Sequence, residues 1–283
     1  MMTDVQTVLA EKAQQISAAL RQVFLTDEDY LAEFFSAADH AVSAGGKRVR
    51  PVLTLLFAEA CGNPRPEDAQ RAALAIELLH SYTLVHDDLP CMDNDTVRRG
   101  QPTVWAKYGE ASAVLAGDYL QAKAFASIAP CEQAGDLLRV LTHAAIEVIH
   151  GQVADIDATR ISSAKWDTAL MERIYFGKTC ALIEAACCMG VIAANGSDVE
   201  FRAAHIYGRH IGMAFQLIDD LLDANQAKEG NEFNALAVCQ NDPELLKSIA
   251  RAQTESAIKA LDVFSGDTTV LKAFAESLLM RVI

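Results

Sequence analysis

The chemistry in this chain is concentrated between His80 and Arg99, where four aspartates, Asp87, Asp88, Asp93 and Asp95, stand directly before two arginines, Arg98 and Arg99. Carboxylates packed this densely repel one another and call for cations. Hard oxygen donors suit Mg²⁺, which keeps several waters and takes phosphate oxygens as its remaining ligands, while forked guanidinium groups bind phosphate directly. A second cluster, Asp219-Asp220-Leu221-Leu222-Asp223, repeats the pattern far along the chain. Asp219 and Asp223 share one helical face, with Asp220 offset. Two such clusters facing each other would hold several Mg²⁺ ions and a diphosphate on them. The alternative, a solvated helix terminus, is opposed at Asp87 and Asp88 by the macrodipole, which disfavours negative charge at a C-terminal end.

Cationic and polar groups stand at useful spacings around these clusters. Lys47, Arg48 and Arg50 follow Gly45-Gly46, where backbone without Cβ can approach an anion closely; an ordinary basic loop reads the same on charge alone. His80 lies seven residues, two helical turns, before Asp87. A lone histidine on an apolar helix also fits a core position, and His86 reads either as structural or as a residue supporting the site from behind. Gln152 and Asp155 are three apart on one face. Lys178, in the apolar run around Phe176-Gly177-Lys178-Thr179, either meets a buried anion or snorkels to water.

Helices must position these groups. Val5, Val8, Leu9, Ala13, Ile16, Leu20 and Val23 recur at three- and four-residue spacing, the amphipathic pattern, over residues 4–23. Thr26 with Asp29 reads as a capping box for a second helix that ends near Ser43 and is broken by Gly45-Gly46. A third helix runs from about Pro51 to Cys61-Gly62-Asn63-Pro64, and Pro66-Glu67-Asp68 opens a fourth, with proline and acids in its first turn. That fourth helix delivers Asp87 and Asp88, and Pro90 ends it. Further helices are predicted over 110–129, 133–157, 166–194, 198–224, 241–263 and 268–281. No alternating run competes, so the chain reads as all-α, a single-domain helical bundle around a central cavity.

Composition agrees. The 283 residues, 51% hydrophobic with only 15 Gly and 7 Pro, suffice for a sizeable core, and no linker divides them, so 1–283 reads as one domain. A net charge of -14 argues against nucleic acid and anionic lipid as partners. The start, M-M-T-D-V-Q-T, lacks a basic n-region and an apolar h-region, and no run of about 18 apolar residues occurs, so a cytoplasmic protein without membrane insertion is expected. Seven cysteines, an odd number with no C-x-x-C spacing, read as reduced thiols rather than disulfides or zinc ligands.

In combination, D-D-L-P-C-M-D, D-D-L-L-D and G-G-K-R-V-R-P at 45–51 resemble the trans-isoprenyl diphosphate synthases, the farnesyl and geranylgeranyl diphosphate synthase family, over nearly the whole chain. One D-D-x-x-D alone is a weak signal; three motifs in this order are specific. The resemblance implies the isoprenoid synthase fold, a homodimer and three Mg²⁺ ions. It makes Asp87, Asp93 and Asp219 the metal ligands, with Asp88 in support and Asp95 behind it. Lys47, Arg50, His80 and Arg99 match the site for isopentenyl diphosphate, and Arg98 that for the allylic diphosphate. Lys178, Thr179 and Gln216 match groups that contact the allylic diphosphate or steady the developing cation. The implied reaction is Mg²⁺-assisted ionisation of dimethylallyl or geranyl diphosphate, attack by the double bond of isopentenyl diphosphate, and proton loss. The chain departs from the family after Asp223, where A-N-Q-A-K-E-G-N-E-F-N-A-L replaces a G-K-x-x-G-x-D segment, a second lysine and a T-Y-P turn. Lys228 stands in for the first lysine, nothing matches the second, and Phe233-Asn234 replaces tyrosine-proline, so closure over the diphosphates is expected to be altered.

Two rivals use the same residues. A non-catalytic partner subunit would explain the altered segment, yet both aspartate clusters are intact. A terpene cyclase would share the ionisation but has no need of Lys47, Arg50 and His80. For product length, Tyr82 and Thr83 lie about a turn before Asp87; helical angles put Thr83 more squarely on the face of Asp87, with Tyr82 to one side. An aromatic residue at Tyr82 and two extra residues within Leu89-Pro90-Cys91-Met92 resemble the bacterial farnesyl diphosphate synthases, which implies a fifteen-carbon product, with the geranylgeranyl reading as the alternative.

Overall fold

A computed structural model describes residues 2–24, 28–162, 165–223 and 233–282. Helix α1 (Met2–Gln22) is followed by a 3-10 turn (Asp29–Leu31), α2 (Ala32–Ser43), α3 (Val49–Ala60) and α4 (Pro66–Asp87). A two-stranded antiparallel hairpin, β1 (Val97–Arg98) with β2 (Gln101–Pro102), leads into α5 (Val104–Tyr108), α6 (Glu110–Ile128) and α7 (Ala134–Thr159). Then come α8 (Thr168–Tyr175), a π-helical turn (Phe176–Cys180), α9 (Ala181–Ala193) and α10 (Asp198–Asp223). After α11 (Ala235–Val238), the helix α12 (Pro243–Ala260), a 3-10 turn (Leu261–Val263) and α13 (Thr269–Leu279) complete the order. The fold is the all-α arrangement of packed helices that the sequence implies.

Helix α4 begins where its sequence dictates, with Pro66 in the first turn beside Glu67 and Asp68, where acids complement the exposed backbone N–H groups. Its buried face is rich in alanine, Ala69, Ala72, Ala73 and Ala75 among them, and packs along α6 and α3. Helix α9 is covered on almost every side. Leu182, Ala185, Ala186 and Met189 join an apolar cluster with α4, α6 and α7, whereas Ile183, Cys187, Cys188 and Val191 join another with α3, α10, α12 and α13. One helix thus feeds both clusters, and truncating a fully buried leucine in either costs about 2–5 kcal/mol.

The segment Thr168–Ala193 is apolar and long enough to cross a membrane, yet 83% of its most apolar window is buried inside the bundle, as befits a central core helix. All seven cysteines are free thiols. Burial pushes the Cys180 thiol up to about 12, an unreactive setting.

Several local expectations are corrected. The predicted helix over 166–194 is interrupted by the π-turn at Phe176–Cys180. The hairpin, α5 and α11 were not expected; elements of two to five residues carry no periodicity to read. The second helix opens with a 3-10 turn whose cap position, Glu28, makes no side-chain cap. Thr26, half of the expected capping box, lies outside the described residues, as does Lys228.

Candidate active site

The first aspartate cluster is shaped by the end of α4. Asp87 is the last helical residue and Asp88 the cap. The chain then folds back so that the Asp93 N–H donates to the Asp87 carbonyl at 2.8 Å, which brings two carboxylates six positions apart to one spot. Burial pushes the Asp87 carboxyl up to about 6, opposed by the Lys178 ammonium and reinforced by Asp93 and Asp88. Partial burial also raises Asp93, again against the pull of Lys178. Burial thus makes the charged form of both carboxyls costly here, although cations stand beside them.

Asp88 behaves differently. It is 3% exposed, and Arg98 donates to it from Nε at 2.6 Å, with Asp95 a further 3.4 Å contact of the same guanidinium. Asp95 itself serves through its backbone: its carbonyl accepts from Thr103 Oγ1 and Trp105 Nε1, both at 2.8 Å, which ties the aspartate loop to the start of α5.

Lys178 reaches this cluster because two helices touch at glycines. A Cβ at Gly177 would lie 2.3 Å from the Gly151 Cα, and one at Gly151 would lie 2.5 Å from the Lys178 N, so only glycine permits this approach of α7 and the π-turn. The Lys178 Nζ donates to Asp155 Oδ2. The anion required beside an ammonium in an apolar helix is thus Asp155, and the side chain stays about a third exposed (32%). The wide π-turn also presents the next residue: Thr179 Oγ1 donates to Gln216 Oε1 at 2.9 Å, and Gln216 Nε2 donates to Asp220 Oδ1 at 3.2 Å. Lys178 and Thr179 therefore link the first cluster to the helix that carries the second.

In the second cluster Asp219 is half-buried, its carboxyl raised by burial and held down by Arg281, whose Nη1 lies 2.9 Å from Oδ1; Lys47 adds a weaker pull. Asp220 is buried and fully engaged: Tyr175 donates its hydroxyl to Oδ2, and the Ala235 N–H donates to the same oxygen at 2.6 Å. Phe233 and Asn234, at the point of departure from the family pattern, have structural work. Phe233 packs against Trp166 and Tyr175 at 4.9 and 5.7 Å, and Asn234 caps α11 through the Leu236 N–H at 2.8 Å.

The basic loop divides in two. Arg48, with φ of 50°, turns inward to Glu77 at 2.6 Å and to the Val42 carbonyl, so it is a structural residue of the core. Arg50 Nη1 donates to His80 Nε2 at 3.3 Å, and its buried Nε has no partner. Burial, then Arg50, Arg99 and other cations, push His80 well below its ordinary range, so it is a neutral acceptor. Arg99 donates to the Gly45 carbonyl and lies so close to Gly46 that a Cβ there would be 2.5 Å from Nη1. Lys47 is exposed at the mouth. On α4, Tyr82 is 8% exposed, and the Thr83 hydroxyl donates to the His80 carbonyl at 2.8 Å. Arg281, Tyr175 and the Asp155–Lys178 pairing were missed in the sequence; the glycines at 151 and 177 were the one available sign of the last.

Comparison with known proteins adds a second line of observation. The polyprenyl synthetase family model matches residues 32–234. The chain is 39% identical over 229 residues to a chloroplastic geranylgeranyl pyrophosphate synthase of Capsicum annuum, covering 78% of this chain and 61% of that one. It thus spans less than two thirds of that relative's length. It is 38% identical over 233 residues to a short chain isoprenyl diphosphate synthase of Methanothermobacter thermautotrophicus, covering 81% of this chain and 69% of that one. Among solved structures, a crystal structure of an FPP/GFPP synthase from Zymomonas mobilis superposes with a TM-score of 0.89 at 33% identity, over 99% of this chain and 100% of that one.

Proposed function

The chain belongs to the polyprenyl synthetase family, and from that premise we propose that it is a trans-prenyltransferase condensing isopentenyl diphosphate head-to-tail with dimethylallyl and geranyl diphosphates. The observation that carries this is the meeting of Asp87 and Asp93 beside Lys178, two carboxylates brought together at a partly buried helix end that disfavours their charge until a cation binds. Polyprenyl synthetases are generally Mg²⁺-dependent. The donor chemistry fits: Asp87 and Asp93 are hard carboxylate donors brought together by the end of α4, and Mg²⁺ typically takes one or two carboxylates, leaving its other positions to water and substrate phosphate. In this reading Asp87, Asp93 and Asp219 hold three ions, which neutralise the departing diphosphate when bound.

The chain's own residues supply the rest. Lys178, steadied by Asp155, and Arg98, steadied by Asp88, place positive charge at the allylic diphosphate. Thr179 and Gln216 fix the other wall. Arg50, with an unpartnered Nε, joins Lys47, His80 and Arg99 in holding isopentenyl diphosphate. Helices α4, α6 and α9 exclude the water that would quench an allylic cation. We read 1–283 as one functional domain, paired with a second copy through the exposed apolar side chains Val114 and Leu115 of α6 and Ile146, Ile149 and Val153 of α7.

Product length is proposed to be fifteen carbons, with Tyr82, buried five residues before Asp87, as the floor and Thr83 beside it. The name of the Capsicum annuum relative favours the geranylgeranyl alternative, a twenty-carbon product. Incubation with Mg²⁺, dimethylallyl diphosphate and isopentenyl diphosphate, followed by sizing of the products, tests both parts. Mainly fifteen-carbon product, lengthened by Tyr82→Ala, is the expected result. Mainly twenty-carbon product replaces the length assignment; cyclised hydrocarbon, or no condensation without another protein, overturns the activity.

A further inference from the structure

Tyr82 does not stand alone on its helix. Tyr82 and His86 are four apart on α4, and their rings meet edge to face, 5.4 Å between centroids at 85°. Both are docked on one strip of α6. The Tyr82 hydroxyl lies beside the Gln121 side chain. His86 Nε2 lies 3.1 Å from the Val114 carbonyl; a carbonyl only accepts, so Nε2 carries the proton. Between these two anchor points comes Gly117. A Cβ there would lie 2.1 Å from His86 Nε2 and 2.3 Å from Cδ2, so the imidazole rests directly on bare helix backbone. Gly117 and the Tyr82 ring are buried, while the His86 ring is about a quarter exposed (27%), with the Asp118 carboxylate 3.9 Å from its Nε2.

We propose that His86 and Gly117 are specificity-determining residues for product length, acting through Tyr82: the slot at Gly117 and the Val114 carbonyl seat the His86 ring, and that ring holds the Tyr82 ring across the path of the growing chain. The inference rests on the reading of Tyr82 as the floor of that path. His86 is accordingly a positioning residue. Without its ring, Tyr82 keeps its bulk but loses the support on one side, and it can swing into the vacated slot. An added methyl at position 117 acts from the other end, because it displaces the His86 ring without changing the Tyr82 side chain itself.

The test is the ratio of twenty- to fifteen-carbon products for wild type, Tyr82→Ala, His86→Ala and the double variant, a ratio that is independent of total turnover. His86→Ala should raise it by about fivefold, the scale of one edge-on ring contact. Because His86 acts through Tyr82, adding His86→Ala to Tyr82→Ala should change the ratio no further, the non-additivity of a coupled pair. A shift in the single variant that recurs undiminished in the Tyr82→Ala background would overturn the inference, as would an unchanged ratio in His86→Ala. If Tyr82→Ala itself leaves the ratio unchanged, the floor assignment fails first, and the inference with it. Thermal melting gives a readout of the slot independent of products: Gly117→Ala should lower Tm, and His86→Ala in the same chain should restore most of the loss. Equal Tm for the Gly117→Ala chain with and without His86 would show that the ring is not seated there.

Discussion

The two aspartate clusters share a sequence pattern but are tied down in different ways. In each, the second aspartate of the leading pair is buried and engaged, and the outer ones are more open. Asp88 closes on Arg98, ten residues on, so the first cluster is a local loop that braces itself. Asp220 instead joins Tyr175, 45 residues before it, to the backbone of Ala235, 15 residues after it, so the second cluster is a junction between distant segments. The same division of labour, one aspartate to build and its neighbours to bind, is reached through short-range contacts in one case and long-range contacts in the other.

The largest expected effect falls on the outer aspartates. Asp87→Ala or Asp219→Ala should lower condensation by about a hundredfold or more at saturating Mg²⁺, since each removes several kcal/mol of leaving-group stabilisation. Neither should melt appreciably below wild type; wild-type turnover in either would remove that aspartate from the site. The inner aspartates should show the contrast in stability instead. Asp220→Ala takes the acceptor from the Tyr175 hydroxyl and from Gln216 Nε2 and one of two acceptors from the Ala235 N–H, at a cost of about 3 kcal/mol. Asp88→Ala frees a half-exposed Arg98 that water can solvate, at about 1 kcal/mol. Equal losses of Tm would mean that junction and loop are equivalent.

A pH experiment sharpens the picture of the first cluster. The Asp87 carboxyl, raised from 3.8 to about 6, binds its proton more tightly in the folded protein. The stability this contributes is complete below about pH 4 and is lost as pH rises through 6. In metal-free protein at pH 7, Asp87→Asn should therefore stabilise the fold by roughly 1–3 kcal/mol, and at pH 4 it should give no gain. Denaturation in EDTA at the two pH values measures this, and an equal gain at both would contradict the cost of burying the Asp87 charge. The smallest effect belongs to Arg281. Releasing Asp219 from a half-exposed ion pair should lower the Mg²⁺ concentration for half-maximal rate by about threefold in Arg281→Ala; a higher requirement would give Arg281 a supporting part instead.

The contrast between local and distant contacts also decides what could be read from the sequence. Helix α4 was legible to within a residue, since Pro66, Glu67 and Asp68 mark its start and Pro90 its end. Asp87, Asp88, Arg98 and Arg99 were legible as a group because they are neighbours in the chain. The π-turn at Phe176–Cys180 was not, because apolar periodicity runs on through it while the cause, contact of Gly177 with Gly151, lies on another helix. Arg48 read as one of three basic-loop cations, and only the fold shows it turned onto Glu77. Arg281 and Tyr175 gave no signal at all, being placed beside Asp219 and Asp220 by packing alone.

The proposal that both clusters serve one diphosphate can be tested most directly by calorimetric titration of inorganic diphosphate in the presence and absence of Mg²⁺. Wild type should bind only with Mg²⁺, and Asp87→Asn and Asp219→Asn should each weaken binding by about tenfold or more, the scale of one lost metal ligand. Binding that needs no Mg²⁺, or that survives either substitution unchanged, would contradict it.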